Sequence, residues 1–111
     1  MAHGSRLPEP CLAVQALAER LQQTLAMPVA AAFLTCPPDA ATAIERLVAD
    51  GASQIIVMPY FLHAGRHVRE DLPHLLDGAR QRHPNCRFTS LPCLEGDPDL
   101  DRLLENRLRG C

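Results

Sequence analysis

The sequence predicts an α/β fold with a parallel sheet covered by helices on both faces. Three observations carry this expectation. Helix-period and strand-like segments alternate along the chain, the connections between them are too long for hairpins, and two apolar runs of strand length carry no charge. Strands joined through helices pair in parallel by right-handed crossovers. A strand buried on both faces reads as a continuous apolar run rather than an alternating one.

Taken in order, residues 10–27 place Val14, Leu17, Leu21 and Leu25 at three- and four-residue spacing, with Glu19, Arg20, Gln22 and Gln23 between them. This is an amphipathic helix, closed by Pro28. Residues 29–34 are an uncharged apolar run and are expected to form a strand. Thr35-Cys36-Pro37-Pro38-Asp39 is a turn, after which Ala40, Ile44, Leu47 and Val48 mark a second helix ending at Asp50-Gly51. Residues 54–62 are the strongest strand signal, with a β-branched core, and belong near the middle of the sheet. Leu72, Leu75, Leu76 and Ala79 define a third helix, stopped near His83-Pro84-Asn85, with Pro73 in its first turn or dividing it. Residues 86–91 read as another strand. A final helix starts at Asp97 or Pro98 and carries Leu100, Leu103, Leu104 and Leu108 on one side. The expected pattern lacks one element, a strand ahead of the first helix, of which Met1-Ala2 supplies only the last step.

A chain of 111 residues with 47% hydrophobic side chains and no linker reads as a single domain, 1–111, whose core needs no staple. The 13 acidic and 11 basic side chains, interleaved to a net charge of −2, speak against nucleic-acid binding by massed positive charge. No apolar run approaches the roughly 20 residues that cross a bilayer, and the N-terminus lacks a signal-peptide profile. The expected location is the cytoplasm. Cys11, Cys36, Cys86, Cys93 and Cys111 form no CxxC pair and are read as reduced thiols, mostly small hydrophobes.

In open parallel sheets ligands bind beyond the carboxyl ends of the strands. Two segments belong there: Ala2-His3-Gly4-Ser5-Arg6, ending the absent first strand, and the residues that follow the strongest strand. His83, beside Pro84, is expected at the surface. Ala2-His3-Gly4-Ser5-Arg6 together with Met58-Pro59-Tyr60-Phe61-Leu62-His63-Ala64-Gly65-Arg66-His67-Val68-Arg69-Glu70-Asp71-Leu72-Pro73 resembles the small sirohydrochlorin chelatases, the cobaltochelatase and ferrochelatase group of cobalamin and sirohaem synthesis. Each motif alone is weak or moderate, but their order and separation are specific. The resemblance covers nearly the whole chain.

The resemblance implies a chelatase-like, flavodoxin-like doubly wound sheet of order 2-1-3-4, with the first strand largely absent here. It implies an enzyme that inserts a divalent metal (Co²⁺, Fe²⁺ or Ni²⁺, as substrate) into a tetrapyrrole without a nucleotide cofactor. It also points to a homodimer, since one short domain cannot enclose a large macrocycle. Carried over by motif, His3 and His67 are the metal-handling and catalytic residues. Imidazole suits these cations, and two histidines without thiolates leave coordination positions open for transfer. Imidazole also takes up protons near neutral pH, as insertion requires when two pyrrole protons leave. Gly4, Ser5, Arg6, His63, Gly65, Arg66 and Arg69 are the expected substrate contacts: arginines for the macrocycle's carboxylates, glycines and Ser5 for close backbone approach. Leu62, Phe61 or Leu7 offers apolar contact.

Bland readings stand beside these. His3 in isolation is a mobile terminal residue, His67 a helix-start residue, His74 an exposed helix residue, and Phe61 core. Gly65 makes a helical His63–His67 pair unfavourable. Asp71 reads as capping or beginning its helix, and Glu70 stays open. Two features depart from the family pattern. The glutamate that relatives carry near Leu34 or Thr35 is missing, with the softer Cys36 close by. The interior first strand is missing too, so either the natural start lies upstream or a partner chain fills the gap. Rival functions are a non-catalytic metal or tetrapyrrole carrier, a phosphate- or nucleotide-binding module using Gly4 and Ser5, and a truncated pseudogene product.

Overall fold

The computed structural model describes the backbone of all 111 residues and every side chain except that of His67. Helix α1 (Pro8–Leu25) begins two residues earlier than the periodicity indicates, because Pro8 at its first position lacks only an N–H that would be unpaired there anyway. It ends at Ala26, in the left-handed region, just ahead of Pro28. Helix α2 (Ala40–Ala49) is capped by Asp39, whose carboxylate accepts from the Thr42 N–H at 2.8 Å, and Gly51 at φ 99° turns the chain out of it.

Strand β1 (Gln54–Val57) runs parallel to β2 (Arg87–Ser90), with Ile55 opposite Phe88. Between them in the chain lies α3 (Arg66–Arg82), and α4 (Pro98–Arg109) follows β2. One face is well packed: Ile44 of α2, Leu72, Leu76 and Ala79 of α3, Cys86, Ile55 and Phe88 form a single buried cluster. The other face is not closed as expected. Ile56 is 54% exposed, and on α4 Leu103, Leu104 and Leu108 all lie in solvent contact.

The expected strand over residues 29–34 does not form a ladder; it makes one parallel bridge, Phe33 to Ala2. The reason lies in its partner. Ala2 donates to Ala32 O at 2.8 Å and accepts from Leu34 N at 3.0 Å, so residues 32–34 are paired where residues 1–3 reach them. Residues 29–31 have no such neighbour, and Val29 N bonds instead to the Gln22 side chain. On its other side the Met1 amine donates to Met58 O at 2.8 Å, and Met1 O accepts from Tyr60 N at 2.6 Å. The hydrogen bonds therefore run from residues 32–34 to residues 1–2, to the end of the β1 segment, to β2. This is the order 2-1-3-4, with residues 1–2 in the place of strand 1.

Other expectations are corrected too. The strongest strand stops at Val57 rather than reaching residue 62: buried Pro59 has no N–H, and Met58 O and Tyr60 N on either side of it bond to Met1. Pro73 neither starts nor divides α3 but lies inside the continuous helix. Asp71 lies in the second turn of α3, so it does not cap it. His83 is not a surface residue: its side chain is 16% exposed, with Nε2 buried 3.4 Å from Glu45 and the ring tilted against Phe88.

Candidate functional site

The carboxyl edge of the sheet gathers the N-terminal loop, the 61–65 loop with the start of α3, and the loop between β2 and α4. His3 is the first residue beyond the Ala2 bridge. Its carbonyl accepts from Leu34 N (3.1 Å), Thr35 N (3.0 Å) and Thr35 Oγ1 (3.0 Å), while the residue itself is exposed. The peptide is held on three donors while the side chain is left to solvent.

Gly4 follows at φ 93°, and a Cβ there would lie 2.7 Å from Thr35 Oγ1, 3.0 Å from Cys36 Sγ and 3.2 Å from Phe33 Cβ. Only glycine fits this contact. Ser5 Oγ accepts from Leu7 N at 3.0 Å and so guides the chain into α1, and Arg6 is exposed. Leu7 and Leu62 are exposed large hydrophobics at this edge, whereas Phe61 is half-buried.

Gly65 is the N-cap of α3, so His63 lies outside the helix and the His63–His67 interval is not a helical turn, as the glycine indicated. His67 occupies the second helical position, and its side chain lies outside what the structure describes. The next residue, Val68, lines a small hollow with Met1, Leu34, Phe61, Asp71, Leu72 and Leu75. This hollow takes in Leu34, whose N–H donates to His3 O, and Val68, which follows His67 in the chain. Arg66 is paired with Glu70 at 3.3 Å, both exposed, and Arg69 is exposed.

One residue of this edge escaped the sequence reading. Glu95, from the loop after β2, accepts from the 61–65 loop twice: Oε2 lies 2.9 Å from His63 Nδ1 and Oε1 3.5 Å from Ala64 N. Backbone bonds from Leu94 N to Phe61 O and from Glu95 N to Leu62 O join the same two loops. The hydrogen bond from His63, then that from Ala64 N–H, with the Arg69 charge nearby, hold the Glu95 carboxyl below the usual carboxylate range. The signal available was its position: a carboxylate just after the last strand must emerge at the same edge as the 61–65 loop. Among the described residues no three His, Cys, Asp or Glu side chains converge as a closed metal cage.

The family model described as CbiX matches residues 1–111. A sirohydrochlorin cobaltochelatase from Methanothermobacter thermautotrophicus is 38% identical over 87 residues, which are 75% of this chain and 61% of that protein. The chain thus spans about three-fifths of that relative's length. A crystal structure of a CbiX protein from Marinobacter aquaeolei superposes with a TM-score of 0.84 at 26% identity, covering 98% of this chain and 90% of that one. The sirohydrochlorin chelatase SirB from Bacillus subtilis subspecies spizizenii, solved in complex with cobalt, superposes with a TM-score of 0.87 at 26% identity, over 98% of this chain and 47% of that one. Among the described residues no helix is long and apolar enough to cross a membrane. With the hydrogen-bonded order 2-1-3-4 and a family match over its full length, this chain belongs to the CbiX family.

Proposed function

We propose that this chain inserts a divalent metal, Co²⁺ or Fe²⁺, into sirohydrochlorin, acting as a single cytoplasmic domain in a homodimer. The observation that carries the reading is His3: a peptide fixed by three hydrogen bonds and an exposed imidazole, at the sheet edge that also receives the first turn of α3. The cobaltochelatase relatives and the cobalt-bound neighbour support the choice of reaction.

In this reading the metal is a substrate. The imidazoles of His3 and His67 take it transiently from water and leave coordination positions open to the pyrrole nitrogens. Two N–H protons must leave as the cation enters, and in this reading the same imidazoles accept them. Arg6, Arg66 and Arg69 meet the macrocycle's carboxylates; Arg66 must exchange Glu70 for substrate, a cheap step for an exposed pair. His63, oriented by Glu95, flanks the entry. The nucleotide-binding alternative is weakened here, since the first turn of α1 carries Pro8 and Pro10, two positions without an N–H to offer an anion.

The test is absorbance-monitored metal insertion into sirohydrochlorin with Co²⁺, Fe²⁺ and Ni²⁺ in turn, against a protein-free blank. We expect His3→Ala and His67→Ala each to reduce the rate by at least about 100-fold, in line with the usual contribution of positioned acid–base groups. Metal or tetrapyrrole binding without rate enhancement would leave a carrier. Sedimentation analysis of the same preparation reads the dimer directly.

A further inference from the structure

The five cysteines are not equivalent. Cys86 is buried in the core, Cys93 lies in the loop before α4, and Cys111 is exposed at the end of the chain. Cys11, in the first turns of α1, and Cys36, just past the Ala2–Phe33 bridge, come from segments 25 residues apart and place their Sγ atoms 3.2 Å from each other. Both residues are half-buried. Cys11 Sγ also donates to Ser5 O at 3.7 Å, and Cys36 Sγ lies 3.0 Å from where a Gly4 side chain would begin. The pair therefore sits directly behind the His3-Gly4-Ser5 turn. A disulfide is about 2.05 Å long, so roughly 1 Å of further approach joins the two sulfurs.

We propose that Cys11 and Cys36 form a redox-active dithiol that a low-molecular-weight disulfide of the glutathione class converts to an intramolecular disulfide. The Cys36 thiolate attacks one sulfur of the external disulfide, forming a mixed disulfide and expelling one thiolate, which is protonated. Cys11 then attacks the Cys36 sulfur, loses its proton and expels the second thiol. Two S–H bonds become one S–S bond in the protein, and the external disulfide takes up two electrons and two protons as two thiols. The order follows from the surroundings of Cys11. Its hydrogen bond with Cys36, and then burial, hold its thiol above the usual range, which suits the resolving rather than the attacking partner.

The bond ties the first turns of α1 to the loop behind His3. A consequence for metal transfer at His3 rests on the chelatase reading; the thiol chemistry does not depend on it. In a reducing compartment such a bond is transient, as a regulatory disulfide is.

The chain's only tryptic residue is arginine, and each of the five cysteines falls on its own tryptic peptide. The test is treatment of the folded chain with oxidised glutathione near neutral pH, then alkylation, trypsin and mass spectrometry. The expected result is a loss of two hydrogens in mass and one cross-link, joining the peptide of residues 7–20 to that of residues 21–46, reversed by dithiothreitol. Cys11→Ser should leave Cys36 as a stable glutathione mixed disulfide, and Cys36→Ser should leave Cys11 largely alkylated. Free alkylation of both thiols in the wild type, a stable mixed disulfide without the cross-link, or cross-links distributed among all five cysteines would each overturn the proposal.

Discussion

At the level of single residues, Gly4 is the position where the chain has least freedom. It combines a φ of 93° with three close neighbours, one of them Phe33, which is 1% exposed. Gly4→Ala is therefore expected to destabilise the fold by about 2–4 kcal/mol, left-handed strain and overpacking together, read by urea or thermal unfolding. A variant as stable as the wild type would mean the Thr35 and Cys36 side chains can move aside freely. Glu95 makes a different, pH-dependent prediction. Its carboxyl is held below the ordinary range in the folded chain, so the tie to His63 and Ala64 is complete above the unfolded value of about 4.3 and is lost as pH falls through the lower folded value. The protection of the Ala64 amide, its exchange rate measured against the intrinsic rate at each pH, should fall on acidification through that window. Glu95→Ala should show low protection already at neutral pH with little change in the unfolding midpoint, because the pair is exposed.

At the level of elements, α3 carries an internal conflict. Pro73 lies in its interior, where it removes one helical hydrogen bond and crowds the preceding turn, yet Leu72 and Leu76 on either side are buried and hold the helix together. Pro73→Ala should raise stability by about 1–2 kcal/mol, the restored helical geometry being partly offset by a more flexible unfolded chain, in chemical denaturation of the two proteins side by side. No gain would mean that the turn before Pro73 has relaxed around the ring. The same helix shows what a sequence can convey. Its apolar positions and its end were readable from spacing, because burial against Ile55 and Phe88 imposes the period. The consequence of Pro73 was not, since tertiary burial outweighed local preference. Residues 29–34 failed as a strand for the opposite reason: apolar composition says that a segment can be buried, but a ladder needs a partner, and only residues 1–3 provide one. His3, Gly4 and the start of α3 were legible because motifs are contiguous. Glu95 against His63 and Cys11 against Cys36 were not, because each pair joins loops whose approach depends on the whole sheet.

Across the whole molecule, the slot behind Met1 is the feature with the widest effect. A cavity of about 150 Å³ opens behind Met1, between α1 (Val14, Leu17, Leu21), α2 (Ala43, Ile44) and β1 (Ile55, Ile56). It lies where an extended segment continuing backwards from Met1 would run, between residues 29–31 and β1. The Met1 amine makes the same point electrically. Burial lowers its pKa from 8.0, so the folded state disfavours the charged form while its N–H still serves Met58 O. Because the folded pKa is depressed, the unfolded chain binds more protons between the two values, and stability rises with pH through the region below about 8. Acetylating the amine keeps an N–H for Met58 O and removes the charge, so it should abolish that rise. Extending the chain ahead of Met1 by a short β-branched apolar segment should go further, removing the charge and filling the slot. Each side chain it buries there contributes about 1.5–3 kcal/mol before ordering costs, so the unfolding midpoint should climb well above that of the acetylated chain. Equal midpoints for the extended and acetylated chains would mean that the slot does not accept a strand and that the charge alone accounts for the effect.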